Sequence, residues 1–361
     1  MSEPANEPDG DGGERAPADW PHEGRVRVDG IGDLTAVGTG GGDGKDASDG
    51  TDGTDAIAGR VDDPTGASAA TIVSVSDVHG YLAAARSALT AVGETDRFDP
   101  VVETDDDGRL HWAGNDHVLV VNGDLIDRGP DNAAAVAAVD RLAGEAPPGR
   151  VRYHVGNHEM ALLLPAVLHW PGTYSGEVGD DVRRAFYGRI RSGLLAAAFE
   201  GYRYTYSHAG QPEAFDVAAA NRDLRRAADR LLAALDGAED GGDGGAGQNL
   251  PEADADREFE AVQEAVAAEY DLLFGTDGWS GRGADAGLTW MDFAYMPETA
   301  PSQVVGHSRQ PRPTRTGEVV CGNVIRSTRG SPGGEAVLVE TPDELVAVRR
   351  DDRGEATVVS V

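Results

Sequence analysis

Five short clusters along the chain gather the residue types that hold divalent metal ions. They read Asp77-Val78-His79-Gly80, Gly123-Asp124-Leu125-Ile126-Asp127-Arg128-Gly129, Gly156-Asn157-His158-Glu159, Ser207-His208-Ala209-Gly210 and Gly306-His307-Ser308. Asp77, His79, Asp124, Asn157, His208 and His307 offer carboxylate, carboxamide and imidazole donors, a mixture suited to Mn, Fe, Zn, Co or Ni rather than Ca. The chemistry such a set points to is hydrolysis of phosphate esters. The substrate's own charge repels an anionic nucleophile, and neutral water attacks poorly. Two divalent ions about 3.5–4 Å apart meet both difficulties, neutralising the phosphate and acidifying water.

Each cluster follows a β-branched or aromatic run: TIVSVS, HVLVVN, VRYHV, YRYTYS and QVV. Strands that end on Asp, Asn or His place their ligands along one edge of a sheet, where open α/β folds build their sites. Strands are expected at 71–76, 117–121 and 151–155, with helices following at 81–92, 131–143 and 158–168. This alternation predicts a largely parallel sheet with helices on its faces. Further helices are expected at 181–199 and 216–235, where Leu224, Ala228, Leu231 and Leu235 form a core-facing stripe. A flexible acidic insertion at about 236–256 precedes another helix carrying Phe259, Val262, Val266 and Tyr270. These two helices should form a cap beside the site. Strands around 303–305, 318–325 and 336–348 are expected to complete a second sheet.

The 361 residues carry 63 acidic and 31 basic side chains, a net charge of −32, with Lys45 the single lysine. A field this negative repels nucleic acid and anionic membrane, so neither is expected as a partner. A dense carboxylate surface suits concentrated salt, where screening removes the long-range repulsion. Cys321 is the one cysteine, which excludes an internal disulfide and a Cys-rich zinc site. Its valine neighbours predict a buried, inert thiol. Residues 1–68, rich in Gly and Asp, are expected to be a disordered acidic tail; residues 69–350 should form the folded domain. No signal-like segment or run of 18 apolar residues occurs, so a cytoplasmic protein is expected.

The series DVHG, GDLIDRG, GNHE, SHAG and GHS resembles the calcineurin-like metallophosphoesterase superfamily. GDLIDRG together with GNHE is similar to its phosphoprotein phosphatase branch, which includes diadenosine tetraphosphatase-like enzymes. The resemblance spans residues 71 to about 325. It implies a four-layer α/β-β-α sandwich, two mixed sheets flanked by helices, with two divalent ions at the sheet ends and Mn²⁺ the first expectation. By that similarity Asp77, His79 and Asp124 hold one ion, and Asp124, Asn157, His208 and His307 hold the other. Arg128 would grip the phosphoryl oxygens, and His158, oriented by Asp127, would protonate the leaving group. The residues fit those roles. An arginine four positions after Asp124 can aim a bidentate fork from the same loop, and a carboxylate partner keeps an imidazole protonated enough to act as an acid. Asp127 also reads as a turn or cap residue, and Glu159 as structural.

Two positions depart from the superfamily pattern. Where many members carry a second histidine two residues after the last motif, this chain has Arg309. The second phosphate-binding arginine has no secure match; Arg282 is the candidate, against an exposed loop residue. His154, outside the motifs, reads as a hydrogen-bonded structural residue. The substrate class expected first is phosphoserine or phosphothreonine in proteins, or a small phosphate ester. Hydrolysis of dinucleoside polyphosphates by the same centre is the alternative. A non-catalytic metal-binding scaffold is the alternative of another class, weighed against by retention of every motif residue. Oligomeric state is not legible.

Overall fold

The fold is described by a computed structural model covering residues 70–113, 117–240, 252–325, 335–351 and 353–361. The segment expected to be a tail, and the middle of the acidic insertion, lie outside the described residues. The insertion's flanks are helical: the preceding helix runs Val217–Asp240 and the next Glu252–Glu269.

Fourteen strands occur among the described residues: β1 (Thr71–Val75), β2 (Val102–Thr104), β3 (Leu110–Trp112), β4 (His117–Val121), β5 (Val151–His154), β6 (Leu195–Ala196), β7 (Ala198–Glu200), β8 (Thr205–Ser207), β9 (Gln303–Val305), β10 (Thr314–Thr316), β11 (Val319–Cys321), β12 (Ala336–Glu340), β13 (Leu345–Arg350) and β14 (Ala356–Ser360). They form a seven-stranded sheet, β14-β13-β12-β1-β4-β5-β6, and a five-stranded sheet, β10-β11-β9-β8-β7, with β2 and β3 a separate hairpin. Both large sheets are mixed. β1, β4, β5 and β6 run parallel while β12, β13 and β14 pair antiparallel; in the second sheet β8, β9 and β11 are parallel.

The expectation for the C-terminal strands needs correction. β9 and β11 do enter the second sheet, but β12 and β13 extend the first, pairing through β12 with β1. Strand length and apolarity do not say which edge a strand joins. The first sheet also runs on past residue 350 through β14. The expected helix at 181–199 ends at Arg191, and its remainder forms β6 and β7.

Central strands are buried on both faces, which explains why they read as unbroken apolar runs. Side chains alternate across a strand: Val73, Val75, Leu119, Val121, Val337 and Val339 face the larger core under the helices. Ile72, Val118, Val120 and Leu338 face a smaller core shared with Phe199, Tyr206, Val304 and Val320 of the second sheet. That inner layer brings the C-terminal ends of β1, β4 and β5 against those of β8 and β9. Asn122, fully buried at the end of β4, fastens the seam: its Nδ2 donates to Ser207 O at 3.0 Å and Val304 O at 3.2 Å.

The helices Val217–Asp240 and Glu252–Glu269 pack together. The stripe Leu224, Ala228, Leu231 and Leu235 lies in the core, and Gln263 Oε1 accepts from Ala166 N at 2.8 Å. No helix among the described residues is long and apolar enough to cross a membrane.

Candidate metal centre

Six non-glycine residues among those described have positive φ: Asp77 (51°), His79 (49°), Asp124 (50°), Asp127 (71°), Arg128 (70°) and His307 (58°). Every one was singled out from sequence. Left-handed backbone in L-residues costs energy and persists where surrounding structure over-determines it, as at functional sites. The loops after β1, β4 and β9 therefore hold their side chains in fixed, unfavourable turns. Gly156 and Gly306 are needed for close approach: a Cβ at Gly156 would overlap Asp124 Oδ1, and one at Gly306 would overlap Ser76 Oγ and Asp77 Oδ2.

The six candidate ligands converge. Asp124, His208 and His307 form one group of donor atoms, and His79, Asp124 and His158 another, so Asp124 belongs to both. In the first group His208 Nε2 lies 3.4 Å from Asp124 Oδ1 and 3.2 Å from His307 Nδ1. Asn157 Oδ1 sits 3.3 Å and 3.0 Å from the same two imidazole nitrogens. In the second, His79 Nε2 is 3.5 Å from Asp124 Oδ2 and 4.0 Å from Asp77 Oδ1. Asp77 Oδ2 accepts from His307 N at 3.0 Å, which joins the two sides.

The donors fit cations. His79 Nδ1 donates to Ile126 O at 3.0 Å and His208 Nδ1 to Asn122 O at 3.1 Å. Each bond fixes the tautomer with the Nε2 lone pair facing the cluster, the usual preparation of a metal-binding histidine. Burial holds His79 down to about 3, and lowers His208 and His307 as well, so these imidazoles are neutral ligands at neutral pH. Asp77 is pushed well above the carboxylate range by burial and by Asp124. Its Oδ1 and the Nε2 of His307 are buried without a partner. Two carboxylates facing each other across buried, unpartnered atoms are what a cation would satisfy.

His158 is held differently. Its Nδ1 donates to Asp127 Oδ2 at 2.6 Å, and its Nε2 accepts from Arg128 Nε and Nη2 at 3.3 Å and 2.9 Å. Asp127 is itself fixed by Ser175, whose N and Oγ donate at 2.7 Å each. Asp127 also stands in a turn, where Gly129 N donates to its carbonyl at 2.8 Å, so its carboxylate joins that turn to His158 and Ser175. Proximity alone would allow His158 Nε2 as a ligand, 3.9 Å from Asp124 Oδ2. Both ring nitrogens are already engaged, which favours a proton-handling role.

A family model described as calcineurin-like phosphoesterase matches residues 70–243. The chain carries a calcineurin-like phosphoesterase domain. It is a metal-dependent phosphoric ester hydrolase. Solved structures similar to it include the cold-active protein-tyrosine phosphatase of the psychrophile Shewanella sp., at 19% identity over 84% of both chains with a TM-score of 0.45. A point mutant of a cold-active protein tyrosine phosphatase gives 19%, 84% of both chains and 0.48. A protein serine/threonine phosphatase from Saccharomyces cerevisiae with similarity to human phosphatase PP5 gives 13%, 85% of this chain and 86% of that chain, and 0.43.

Around the phosphoesterase centre lies a cavity of about 340 Å³ lined by His79, Asp124, Asn157 and His307 together with arginines 128, 282 and 309 and tryptophans 170 and 290. Arg282 is placed at the site, its Nη2 3.0 Å from Asp292 Oδ2 and 3.1 Å from Ser308 Oγ. Trp170 packs on His158 with ring centroids 4.8 Å apart.

Glu159, read from sequence as structural, has that place in the fold, and several other contributors were missed. Glu159 is a four-way fastening: its carboxylate accepts from Asp124 N (2.9 Å), Leu125 N (3.0 Å), Gly156 N (2.8 Å) and Tyr153 Oη (2.6 Å). It thereby locks the loops after β4 and β5 together. Burial, with Asp124 nearby, raises it to about 7. Asn122, Ser175 and the two tryptophans went unnoticed. Only Asn122 had a signal, a polar residue closing the apolar run of β4. Cys321 is buried as expected, its Sγ against Gly306 O and Ser308 O, and burial pushes its thiol up.

Proposed function

We propose that this domain hydrolyses phosphate monoesters at a two-metal centre, with phosphoserine and phosphothreonine in proteins as the first substrate class. The observation that carries the two-ion reading is the place of Asp124 in both donor groups. Asp77, His79 and Asp124 would hold one ion and Asp124, Asn157, His208 and His307 the other, Mn²⁺ being first among Mn, Fe, Zn, Co and Ni. When bound, such ions neutralise phosphoryl oxygens and make water a competent nucleophile.

The chain's own residues supply the rest. Arg128 and Arg282 orient the phosphoryl group through charge-assisted bonds. As the phosphoryl group draws the Arg128 guanidinium toward itself, His158 Nε2 is released from that contact. The freed Nε2 takes up a proton from solvent; water's oxygen then bonds to phosphorus as the bond to the leaving oxygen breaks, the leaving oxygen takes that proton from His158 Nε2, and the attacking water gives up a proton to solvent. Asp127 holds the imidazole in place and stabilises its protonated form. Trp170 covers one face of that imidazole and limits its access to water. The setting proposed is cytoplasmic and saline, from the net charge of −32, with residues from 69 onward as the catalytic unit.

A second reading, hydrolysis of dinucleoside polyphosphates, is favoured by Trp170 and Trp290 in the cavity wall, aromatic side chains of the kind that pack against a base. One assay separates the two. Full-length protein with Mn²⁺ in molar salt is given a phosphoserine peptide and diadenosine tetraphosphate side by side. Metal-dependent phosphate release, faster from the peptide, is expected; faster cleavage of the dinucleotide would replace the first reading with the second. No turnover of either with any of the five metals would sink both.

A further inference from the structure

Arg309 has no part in the machinery above, yet it stands at the mouth of the same cavity. Its backbone is fixed on both sides. Asn323 Nδ2 donates to His307 O at 3.0 Å, and Gln310 N donates to Asn323 O at 2.8 Å. Ser308 Oγ accepts from Phe293 N at 2.8 Å and donates to Asp292 Oδ1 at 3.0 Å. The guanidinium itself is exposed and makes no hydrogen bond or ion pair to another described residue.

Acidic side chains outnumber basic ones by 63 to 31, and several arginines take carboxylates, as Arg183 does with Asp180, Arg191 with Asp229 and Arg230 with Glu269. Exposed Arg312 is also without such a bond among the described residues, but it does not line the cavity. The other two cavity arginines are also engaged, Arg282 by Asp292 and Arg128 by His158. Beside Arg309, the buried Oδ1 of Asn323 lacks a partner and lines the same cavity. One phosphoryl group is served by the metal centre, Arg128 and Arg282. A third guanidinium, unneutralised and on a rigid loop, is surplus to it.

We propose that Arg309 binds a second anionic group of the substrate, a carboxylate or phosphoryl group a few bonds from the scissile phosphate, and so sets a preference for doubly anionic phosphoesters. The proposal rests on the phosphoesterase reading of this site. A guanidinium matches either anion with a two-pronged fork, which an ammonium cannot reproduce.

The test compares Arg309→Ala and Arg309→Lys with the full-length wild type, Mn²⁺-loaded, at one salt concentration. Substrates are a phosphoserine peptide with aspartate next to the phosphoserine, the same peptide with alanine there, p-nitrophenyl phosphate and diadenosine tetraphosphate. Two ratios of kcat/KM are read: acidic over neutral peptide, and dinucleotide over p-nitrophenyl phosphate. The alanine variant should lower at least one ratio about ten-fold, the size of one charge-assisted bond, through KM rather than kcat. The lysine variant should recover part of it. A fall confined to the peptide ratio identifies a carboxylate, and one confined to the dinucleotide ratio a phosphoryl group. Both ratios staying within about twofold of wild type, or uniform loss on all four substrates, overturns the proposal. Calorimetric binding of pyrophosphate keeps the two failures apart. If wild type turns over nothing but binds pyrophosphate about ten-fold more tightly than Arg309→Ala does, the phosphoesterase reading fails and the anion site stands. If neither turnover nor that difference is seen, both fall.

Discussion

The two sheets meet at the metal centre and contribute to it in different ways. The first delivers Asp77, His79, Asp124, Asp127, Arg128, Asn157 and His158 on three loops that follow adjacent parallel strands, and five of the six positive-φ residues lie there. Those loops are stitched to one another by the buried carboxylate of Glu159. The second sheet delivers two imidazoles, His208 and His307, from the ends of β8 and β9, and beyond them the arginines 282 and 309. Strain and fastening are concentrated where several groups must hold one geometry. The other edge adds candidate ligands singly and carries the arginines proposed to face the substrate. In the proposed reading the proton-handling pair lies on the first sheet alone, while candidate metal ligands come from both.

The largest effect should come from the residue that serves both sides. Asp124→Asn removes the one carboxylate shared by the two donor groups. Loss of an outer partner of a metal ligand already costs about 10–100-fold, so loss of this ligand should exceed about 100-fold in turnover, with both ions depleted by metal analysis. His307→Ala touches only the group of Asp124, His208 and His307 and should leave more metal bound. Equal depletion in the two variants would break the division drawn above.

A smaller and more selective loss is expected within the first side. His158→Asn should lower turnover by roughly 10²–10⁴, the usual size of a general-acid contribution, with metal content near wild type. The loss should be greatest for phosphoserine, whose alkoxide leaves poorly, and least for p-nitrophenyl phosphate. If metal content falls instead, and both substrates suffer equally, the imidazole is a ligand, as its 3.9 Å approach to Asp124 would allow.

The unequal construction of the two sides also explains what could be read from sequence. On the first side, each ligand follows its strand within a few residues and the motifs are dense, so Asp77, His79, Asp124, Asn157 and the Asp127–His158 pair were legible. On the second, His208 and His307 stood out in the shorter clusters SHAG and GHS, after short apolar runs. Arg282 lacked any local pattern, because its position depends on Asp292 and Ser308, distant partners brought together by folding. The same limit misplaced β12 and β13: alternation predicts that a segment is a strand, while its sheet is decided by which edge is open. Glu159 was legible only as structural, without its partners, and Ser175 was invisible, since they act on backbone amides and on Asp127 rather than on metal.

The smallest effect concerns the seam itself. His154 Nδ1 donates to Asn122 Oδ1 at 2.8 Å, and Asn122 in turn holds Ser207 and Val304 of the second sheet. His154 is fully buried, and burial, with Arg152 and His208 nearby, lowers its pKa from 6.5 to about 3. The unfolded chain therefore takes a proton on this residue near pH 6.5, whereas the folded protein resists it until about 3. The sign follows: stability from this group is complete above pH 6.5 and is lost as pH falls toward 3. At 1.36 kcal/mol per unit, lowering pH from 7 to 5 should remove about 2 kcal/mol through His154 alone. His79, His208 and His307 add losses in the same direction, but these cancel when wild type is compared with His154→Gln, both metal-free and in molar salt. Denaturant midpoints at the two pH values should show wild type losing about 2 kcal/mol more than the variant. Identical losses would mean that the imidazole is protonated in the folded protein, so that water reaches the seam and the two sheets are less firmly joined than their packing indicates.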